Sequence, residues 1–318
     1  MSVQVELHRH LDVCARTSTL YRLAQEKGLI PQSTSFESFS DQLIMRKPLA
    51  DLSTVLGQFT LFQKVADRPE VLEQIAFETV EDCWNENTRV VEFRYSPSFV
   101  CEYNGLSWEE SLAAYERGIA RACKKYPDIK VGLLCIASRD YGTESVDKTI
   151  EFFLKYSSRF VGVDLAGSEK EYPAKLFESS FKKVTRAGLK TTIHAGEAVG
   201  VGPQGIWDSI EFLGAKRIGH GVASIHDPKL MAYLEKHQIC LEMCPTSNWL
   251  TSAVPTFESH PLPKLLRAGV PVCINTDDPG IFGVTLPHEI EICRKKMGLS
   301  ETEIRKCQEN ALKASFLS

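Results

Sequence analysis

The stretch Arg89–Ala137, RVVEFRYSPSFVCEYNGLSWEESLAAYERGIARACKKYPDIKVGLLCIA, holds one complete strand–helix–strand unit, and its reading sets the fold. Two β-branched and apolar runs, Arg89–Tyr95 and Lys130–Ala137, flank a segment with helical period. Within it Ser107 and Glu110 form a capping box, and Trp108, Leu112, Tyr115, Ile119 and Ala122 recur on one face at steps of three and four. A helix joining two such strands predicts parallel pairing through a right-handed crossover.

The alternation extends in both directions. Further strands are expected at Val3–Leu7, Phe160–Leu165, Lys190–His194, Arg217–Gly219, Ile239–Met243 and Pro271–Asn275, which makes eight in all. Pro69 suits a first helical turn ahead of Leu72, Ile75, Ala76, Val80 and Cys83. Ser300 and Glu303 repeat the capping box before Ile304, Cys307, Ala311 and Leu312. Eight strand–helix units in 318 residues match a (β/α)8 TIM barrel of the α/β class, with an open doubly wound sheet as the alternative. The segment Gly28–Val65 is extra material between the first two strands, read as additional helices covering the C-terminal mouth. No linker rich in Gly, Ser or Pro interrupts the chain, so residues 1–318 are expected to form a single domain.

Composition narrows the partners. With 37 Lys and Arg against 41 Asp and Glu, the net charge is −4, and no basic, aromatic-interleaved run offers a nucleic-acid surface. No apolar stretch approaches the roughly 18 residues of a membrane span, and MSVQVELHRH lacks the form of a signal peptide, so the expected location is cytoplasmic. Ten scattered cysteines without a CxxC pair suggest neither a disulfide framework nor a thiolate zinc site; most, including Cys240 and Cys244, are expected to be small core residues. Monomer and homo-oligomer are both left open.

In a barrel the chemistry sits at the carboxyl ends of the strands. There the sequence puts His8, His10 and Asp12 after the first strand, His194 and Glu197 after the fifth, His220 after the sixth, and Asp277 and Asp278 after the eighth. His8 and His10, two apart, face the same side of a strand and present two imidazoles to one ion. Imidazole nitrogens with carboxylate oxygen suit Zn²⁺ or another borderline divalent ion, which brings the pKa of a bound water toward neutrality. Hydrolysis then needs a proton donor, and Glu197 is placed to be one, since a carboxyl in a dry pocket stays protonated near pH 7. His220 is placed to orient or deprotonate the water. Gly200, Gly202 and Gly205 spell GxGxxG, but Pro203 interrupts the motif and it follows the fifth strand, so it is read as a flexible strand-to-helix loop. Ile292 stands where HExxH would need its second histidine after His288–Glu289, and His226, His237 and His260 are expected at the surface.

Seven motifs in order, ELHRHLD (Glu6–Asp12), VEFRYSP (Val91–Pro97), DLAGSE (Asp164–Glu169), TIHAGEA (Thr192–Ala198), RIGHG (Arg217–Gly221), LEMCPTSN (Leu241–Asn248) and NTDDP (Asn275–Pro279), resemble the adenosine deaminase family of metal-dependent amidohydrolases. The resemblance implies one Zn²⁺ per chain on His8, His10, His194 and Asp277, with Glu197 donating a proton to purine N1 as hydroxide attacks C6. It further implies that His220 and Asp277 hold and polarise the nucleophile and that protonated Asp278 pairs with N7. The Gly167 N–H would reach N3, Asp12 would take the ribose 5′-hydroxyl, and Val55, Leu56 and Phe59 would form a hydrophobic lid.

Two departures from the family pattern stand out. Val13 occupies the place of a usual Gly, followed by Cys14 and Arg16, and is expected to reshape the pocket around the sugar; Arg9 between the histidines is expected to point away from the metal. The implied reaction is deamination of adenosine, and of 2′-deoxyadenosine, to inosine and ammonia. Asp12 favours a free 5′-hydroxyl, since relatives acting on adenine tend to carry Glu there and a carboxylate repels a 5′-phosphate. Alternatives within this chemistry are adenine, methylthioadenosine and aminofutalosine. A non-catalytic nucleoside-binding protein is the alternative of another class, and the set Glu197, His220 and Asp278 argues against it.

Overall fold

Eight parallel strands follow one another in chain order: β1 (Gln4–His10), β2 (Thr88–Tyr95), β3 (Lys130–Ser138), β4 (Gly162–Ala166), β5 (Thr191–Ala195), β6 (Arg217–His220), β7 (Cys240–Met243) and β8 (Val272–Ile274). They come from a computed structural model that describes residues 3–48 and 59–317. Each strand is followed by helical structure, as in the helices Pro69–Asn85, Trp108–Lys125, Gly142–Lys155 and Gln204–Leu213, and the result is a (β/α)8 barrel. Both expected capping boxes are formed, Ser107 with Glu110 and Ser300 with Glu303, and Pro69 occupies a first helical turn.

The ring closes between β1 and the residues just past β8. The His10 N–H donates to the Asp277 carbonyl at 2.9 Å, and the Asp277 N–H donates to the His8 carbonyl at 3.0 Å. Below this seam side chains replace the missing ladder: Asn275 Oδ1 accepts from the Leu7 N–H at 2.9 Å, and Glu6 Oε1 accepts from the Thr276 N–H at 2.8 Å. Closure and the cluster of candidate site residues therefore share the same backbone.

The first strand runs further than the apolar pattern indicates. It ends at His10, not Leu7, so both histidines lie on β1 itself. Arg9 does not end the strand because Glu6 Oε2 and Glu86 Oε2 receive its guanidinium, at 3.2 and 3.1 Å on the side away from the histidines. The β1–β2 register slips between Glu6 and Arg9, which pair with Val91 and Phe93, so one extra β1 residue bulges at Leu7–His8. Bulges of this kind re-aim side chains beside active sites.

The helix Thr17–Glu26 and, within the extra segment Gly28–Val65, the helices Phe36–Leu43 and Thr60–Val65 stand at the mouth. Leu20, Leu23, Phe39, Phe62 and Val65 are buried there with Ile281 and Phe282, in a cluster apart from the main core. Each such side chain contributes about 1.5–3 kcal/mol by burial. Among the described residues no helix is long and apolar enough to cross a membrane. All ten cysteines are free, eight of them buried. His226 and His237 are exposed, but His260 is 2% exposed and belongs to the interior, contrary to the sequence expectation. Its imidazole is satisfied by partners that no local pattern announces, as described below.

Candidate active site

The floor of the site is a buried ionic lattice. Arg94 on β2 donates through Nη1 to Asp164 Oδ2 and through Nη2 to Glu242 Oε2, both at 2.7 Å, and also to the Leu7 carbonyl at 2.7 Å. Arg217 Nε donates to Glu242 Oε1 at 2.6 Å and Thr192 Oγ1 donates to the same oxygen at 2.9 Å. Burial alone would raise both carboxyls, but Arg94 and Arg217 hold Glu242 well below the usual carboxylate range, and His194 and Arg94 do the same for Asp164.

These carboxylates orient two imidazoles. His8 Nδ1 lies 3.0 Å from Glu242 Oε2, and His194 Nδ1 lies 2.9 Å from Asp164 Oδ2. An ionised carboxylate only accepts, so each Nδ1 donates to it, and in a neutral ring Nε2 is then the lone pair. Burial pushes the His194 pKa down to about 4, which keeps the ring neutral. Yet the two Nε2 atoms stand 3.1 Å apart, with His10 Nε2 3.3 Å from that of His194. Asp277 Oδ1 completes the group at 3.1 Å from His8 Nε2 and 3.3 Å from His10 Nε2. Acceptors facing one another at this range are compensated by a cation, and ligands bound at about 2.0–2.2 Å to one ion stand roughly this far apart. His8, His194, His220 and Asp277 likewise bring their donor atoms within 4.8 Å of one another, so a His/His/His/Asp cluster able to hold a metal ion is present.

Local backbone serves this convergence. A side chain at Gly219 would meet His8 Cε1 at 3.0 Å and the His194 Cα at 3.2 Å, so glycine on β6 makes room for the rings of His8 and His194, which meet edge to face. His220 and Asp277 both adopt left-handed backbone, with φ of +62° and +66°. Such conformations in non-glycine residues store about 1–3 kcal/mol each and gather at functional sites.

Beside the cluster, Glu197 Oε2 lies 3.3 Å from His220 Nε2, and Oε1 accepts from Thr251 Oγ1 at 3.2 Å. Burial, reinforced by Asp277, raises the Glu197 carboxyl well above its usual range. Asp278 is raised in the same way by burial and by Asp277, and its Oδ1 has no hydrogen-bond partner among the described residues. Burial holds His220 well below the ordinary imidazole value. The Ser247 hydroxyl donates to Asp277 Oδ2 at 2.7 Å, which leaves Oδ1 to face the histidines.

Two hollows meet at His10, Phe59, Gly167 and Asp278 and form one continuous cleft beside the cluster. Glu197, His220 and Asp277 line one end, and Asp12, Val13, Ser96 and Ser138 line the other. Asp12 Oδ2 accepts from the Ser96 N–H at 3.0 Å. Val13 belongs to a short helical turn, Leu11–Val13, with no positive φ, so valine fits there without strain and narrows the cleft. Phe59 covers both hollows and meets Phe99 edge-on at 6.1 Å; Val55 and Leu56, its expected companions, lie outside the described residues.

Sequence reasoning assigned no role to Arg94, Asp164, Glu169, Glu242 or Asn248. All five lie inside the quoted motifs, which is the signal that was there to follow. Glu169 accepts three backbone N–H groups of the loop after β5, from Gly196 at 2.9 Å, Glu197 at 2.8 Å and Ala198 at 2.7 Å, and so fixes where Glu197 projects.

Glu289 plays a similar part for the turn after β7. Its Oε2 accepts from the Thr246 N–H at 2.9 Å, at the start of the helix Pro245–Leu250 that carries Ser247 and Asn248. Burial pushes its carboxyl up to about 8. A folded-state pKa raised above the unfolded value means stability is fully present below about pH 4.5 and is lost as pH rises through about 8. Glu289→Gln, which mimics the protonated form, is expected to remove this slope of roughly 1.4 kcal/mol per pH unit. Urea unfolding between those pH values checks it; an unchanged slope would mean that Glu289 does not titrate there.

The chain matches the family model described as adenosine deaminase over residues 4–318. An adenosine deaminase from Vibrio cholerae is 37% identical over 313 residues, covering 98% of this chain and 93% of its own. An adenine deaminase from Arthrobacter aurescens superposes with a TM-score of 0.91 at 24% identity, covering 100% of this chain and 95% of that one. At that identity the likeness speaks to fold alone. An N6-methyl-AMP deaminase from Arabidopsis thaliana gives a TM-score of 0.82 at 28% identity, with 99% and 92% coverage. Barrel, cluster and these likenesses agree that the chain is an enzyme, a metal-dependent deaminase acting on a purine base, nucleoside or nucleotide, and that it belongs to the adenosine deaminase family.

Proposed function

We propose that the protein converts adenosine, and 2′-deoxyadenosine, to inosine and ammonia, with one Zn²⁺ held by His8, His10, His194 and Asp277. His10 is preferred to His220 as the fourth ligand because its Nε2 faces both His194 and Asp277 at 3.3 Å, while His220 Nε2 is 3.9 Å from Asp277 and engaged with Glu197. When bound, such an ion acidifies water and so supplies hydroxide at neutral pH.

The chain's own residues do the rest. Glu197, protonated by virtue of its burial, gives a proton to purine N1 and makes C6 electrophilic. The neutral Asp278 donates to N7, which gives its otherwise unpartnered oxygen a role. The Gly167 N–H is assigned to N3; Gly167 has φ +101°, and a Cβ there would collide with Asp140 Oδ2 at 2.1 Å. Phe59, which lines both hollows, covers the base. Asp12 Oδ1 takes the 5′-hydroxyl, its other oxygen being held by Ser96.

The observation that carries the choice of a nucleoside is the charge of the cleft. Asp12 and Asp140 line the hollow beside Ser96 and Ser138, and no Lys or Arg lines the cleft among the described residues. A 5′-phosphate, as in the nucleotide named for the Arabidopsis relative, would meet Asp12 without a counter-charge. We further read residues 1–318 as one domain, and place a chain with ten free cysteines in the reducing cytoplasm.

A panel of adenosine, 2′-deoxyadenosine, adenine, AMP, N6-methyl-AMP, methylthioadenosine and aminofutalosine tests the substrate by ammonia release. The expected result is a kcat/KM for adenosine at least about a hundredfold above AMP, the penalty for desolvating an unpaired phosphate. A nucleotide or adenine preferred over adenosine would overturn the assignment.

A further inference from the structure

We infer that Asn248 and His260 are positioning residues that fix the tautomer of His220, leaving its single ring proton on Nε2, where it faces Glu197 and Asp277. The inference rests on the deaminase reading only for its kinetic consequence.

The chain of donors starts at a backbone amide, a group whose polarity is not adjustable. The backbone N–H of Leu262 donates to His260 Nδ1 at 3.1 Å, so that nitrogen is an acceptor. Burial pushes the His260 pKa down to about 3, so the ring is neutral and carries its proton on Nε2. His260 Nε2 lies 3.1 Å from Asn248 Oδ1, which accepts from it. The carboxamide is thereby locked in one orientation, with its NH₂ group turned to His220. Asn248 Nδ2 lies 3.0 Å from His220 Nδ1 and can only donate. His220 Nδ1 is then an acceptor, and the proton of the neutral ring sits on Nε2.

That end of the ring points at the site. His220 Nε2 is 3.3 Å from Glu197 Oε2 and 3.9 Å from Asp277 Oδ2. In this form His220 offers a hydrogen bond toward the carboxylates and the space between them, and does not present a lone pair to accept a proton there. The opposite partner stands behind His8 and His194, where carboxylates accept from Nδ1. An amide behind one ring and carboxylates behind the others therefore sort the three imidazoles by role, donor against ligand. The three members are buried, Asn248 fully, so water does not scramble the chain of donors. Asn248 sits on the short helix after β7, which also reaches the site through Ser247 and, just past its end, Thr251, and His260 sits on the loop leading to the helix Leu262–Arg267.

The test reads the tautomer directly. Imidazole ¹⁵N shifts of the histidine-labelled full chain, zinc-loaded and metal-stripped, are expected to show His220 Nδ1 unprotonated and Nε2 protonated. Asn248→Asp, nearly isosteric but acceptor-only, is expected to reverse this pattern. It should lower kcat on adenosine by at least about a hundredfold with KM and zinc content within about threefold, the behaviour of a histidine held in the wrong tautomer. His260→Phe removes the lock and is expected to lower kcat roughly tenfold, and His260→Gln, which restores a donor to Asn248 Oδ1, to recover most of it. A wild-type His220 protonated at Nδ1 would overturn the proposal, as would an Asn248→Asp variant with unchanged kcat. The nitrogen shifts are read on the free protein, so they decide the tautomer even if adenosine proves not to be the substrate.

Discussion

Glu197→Gln is expected to lower kcat by about 10²–10⁴-fold while metal content and fold stay as they are. Glutamine keeps the shape and one acceptor for the Thr251 hydroxyl, but it has no acidic proton to give to N1. The buried position that raises the Glu197 carboxyl is what makes it an acid near neutrality. Because the pKa is raised, the active protonated form persists through neutral pH and is lost as pH rises through the folded value. The wild-type kcat profile should therefore fall on its alkaline side, and the variant's residual rate should lack that limb. Steady-state ammonia release between pH 5 and about 10, with metal analysis of both proteins, provides the check. An undiminished kcat would remove Glu197 from the mechanism.

Stripping the metal is expected to abolish turnover by more than about a thousandfold, since uncoordinated water supplies almost no hydroxide at neutral pH. The Nε2 atoms of His8 and His10 then stand 3.1 and 3.3 Å from that of His194 with no cation to hold them together, so the apoprotein should also lose thermal stability. One equivalent of Zn²⁺ should restore both. Dialysis against a chelator, followed by assay and calorimetry with and without added zinc, separates the two effects. A chelated protein as active as the untreated one would contradict the role given to the cluster.

What was legible in the sequence follows from what has a period or a fixed place. Strand runs and capping boxes are local, and all eight strands lie within a few residues of where their apolar pattern indicates. Strand ends in a barrel share one face, so His8, His10, His194, Glu197, His220, Asp277 and Asp278 came forward together. The supporting groups did not, because their partners are far away along the chain. Arg94 meets Asp164, Glu242 and Leu7, and none of those separations leaves a periodic mark. His260 looks like a loop histidine until Asn248 and the Leu262 amide are seen on either side of its ring. The end of β1 lies past the apolar run for a related reason: Glu6 and Glu86 receive Arg9, and Glu86 is far away along the chain.

The most direct measurement is an anomalous-difference map of the zinc-loaded crystal at energies above and below the zinc edge. The account predicts one peak per chain, present only above the edge and about 2.0–2.2 Å from the Nε2 atoms of His8, His10 and His194 and from Asp277 Oδ1. An edge-dependent peak held by other side chains, or none at all in a crystal of active protein, would contradict it.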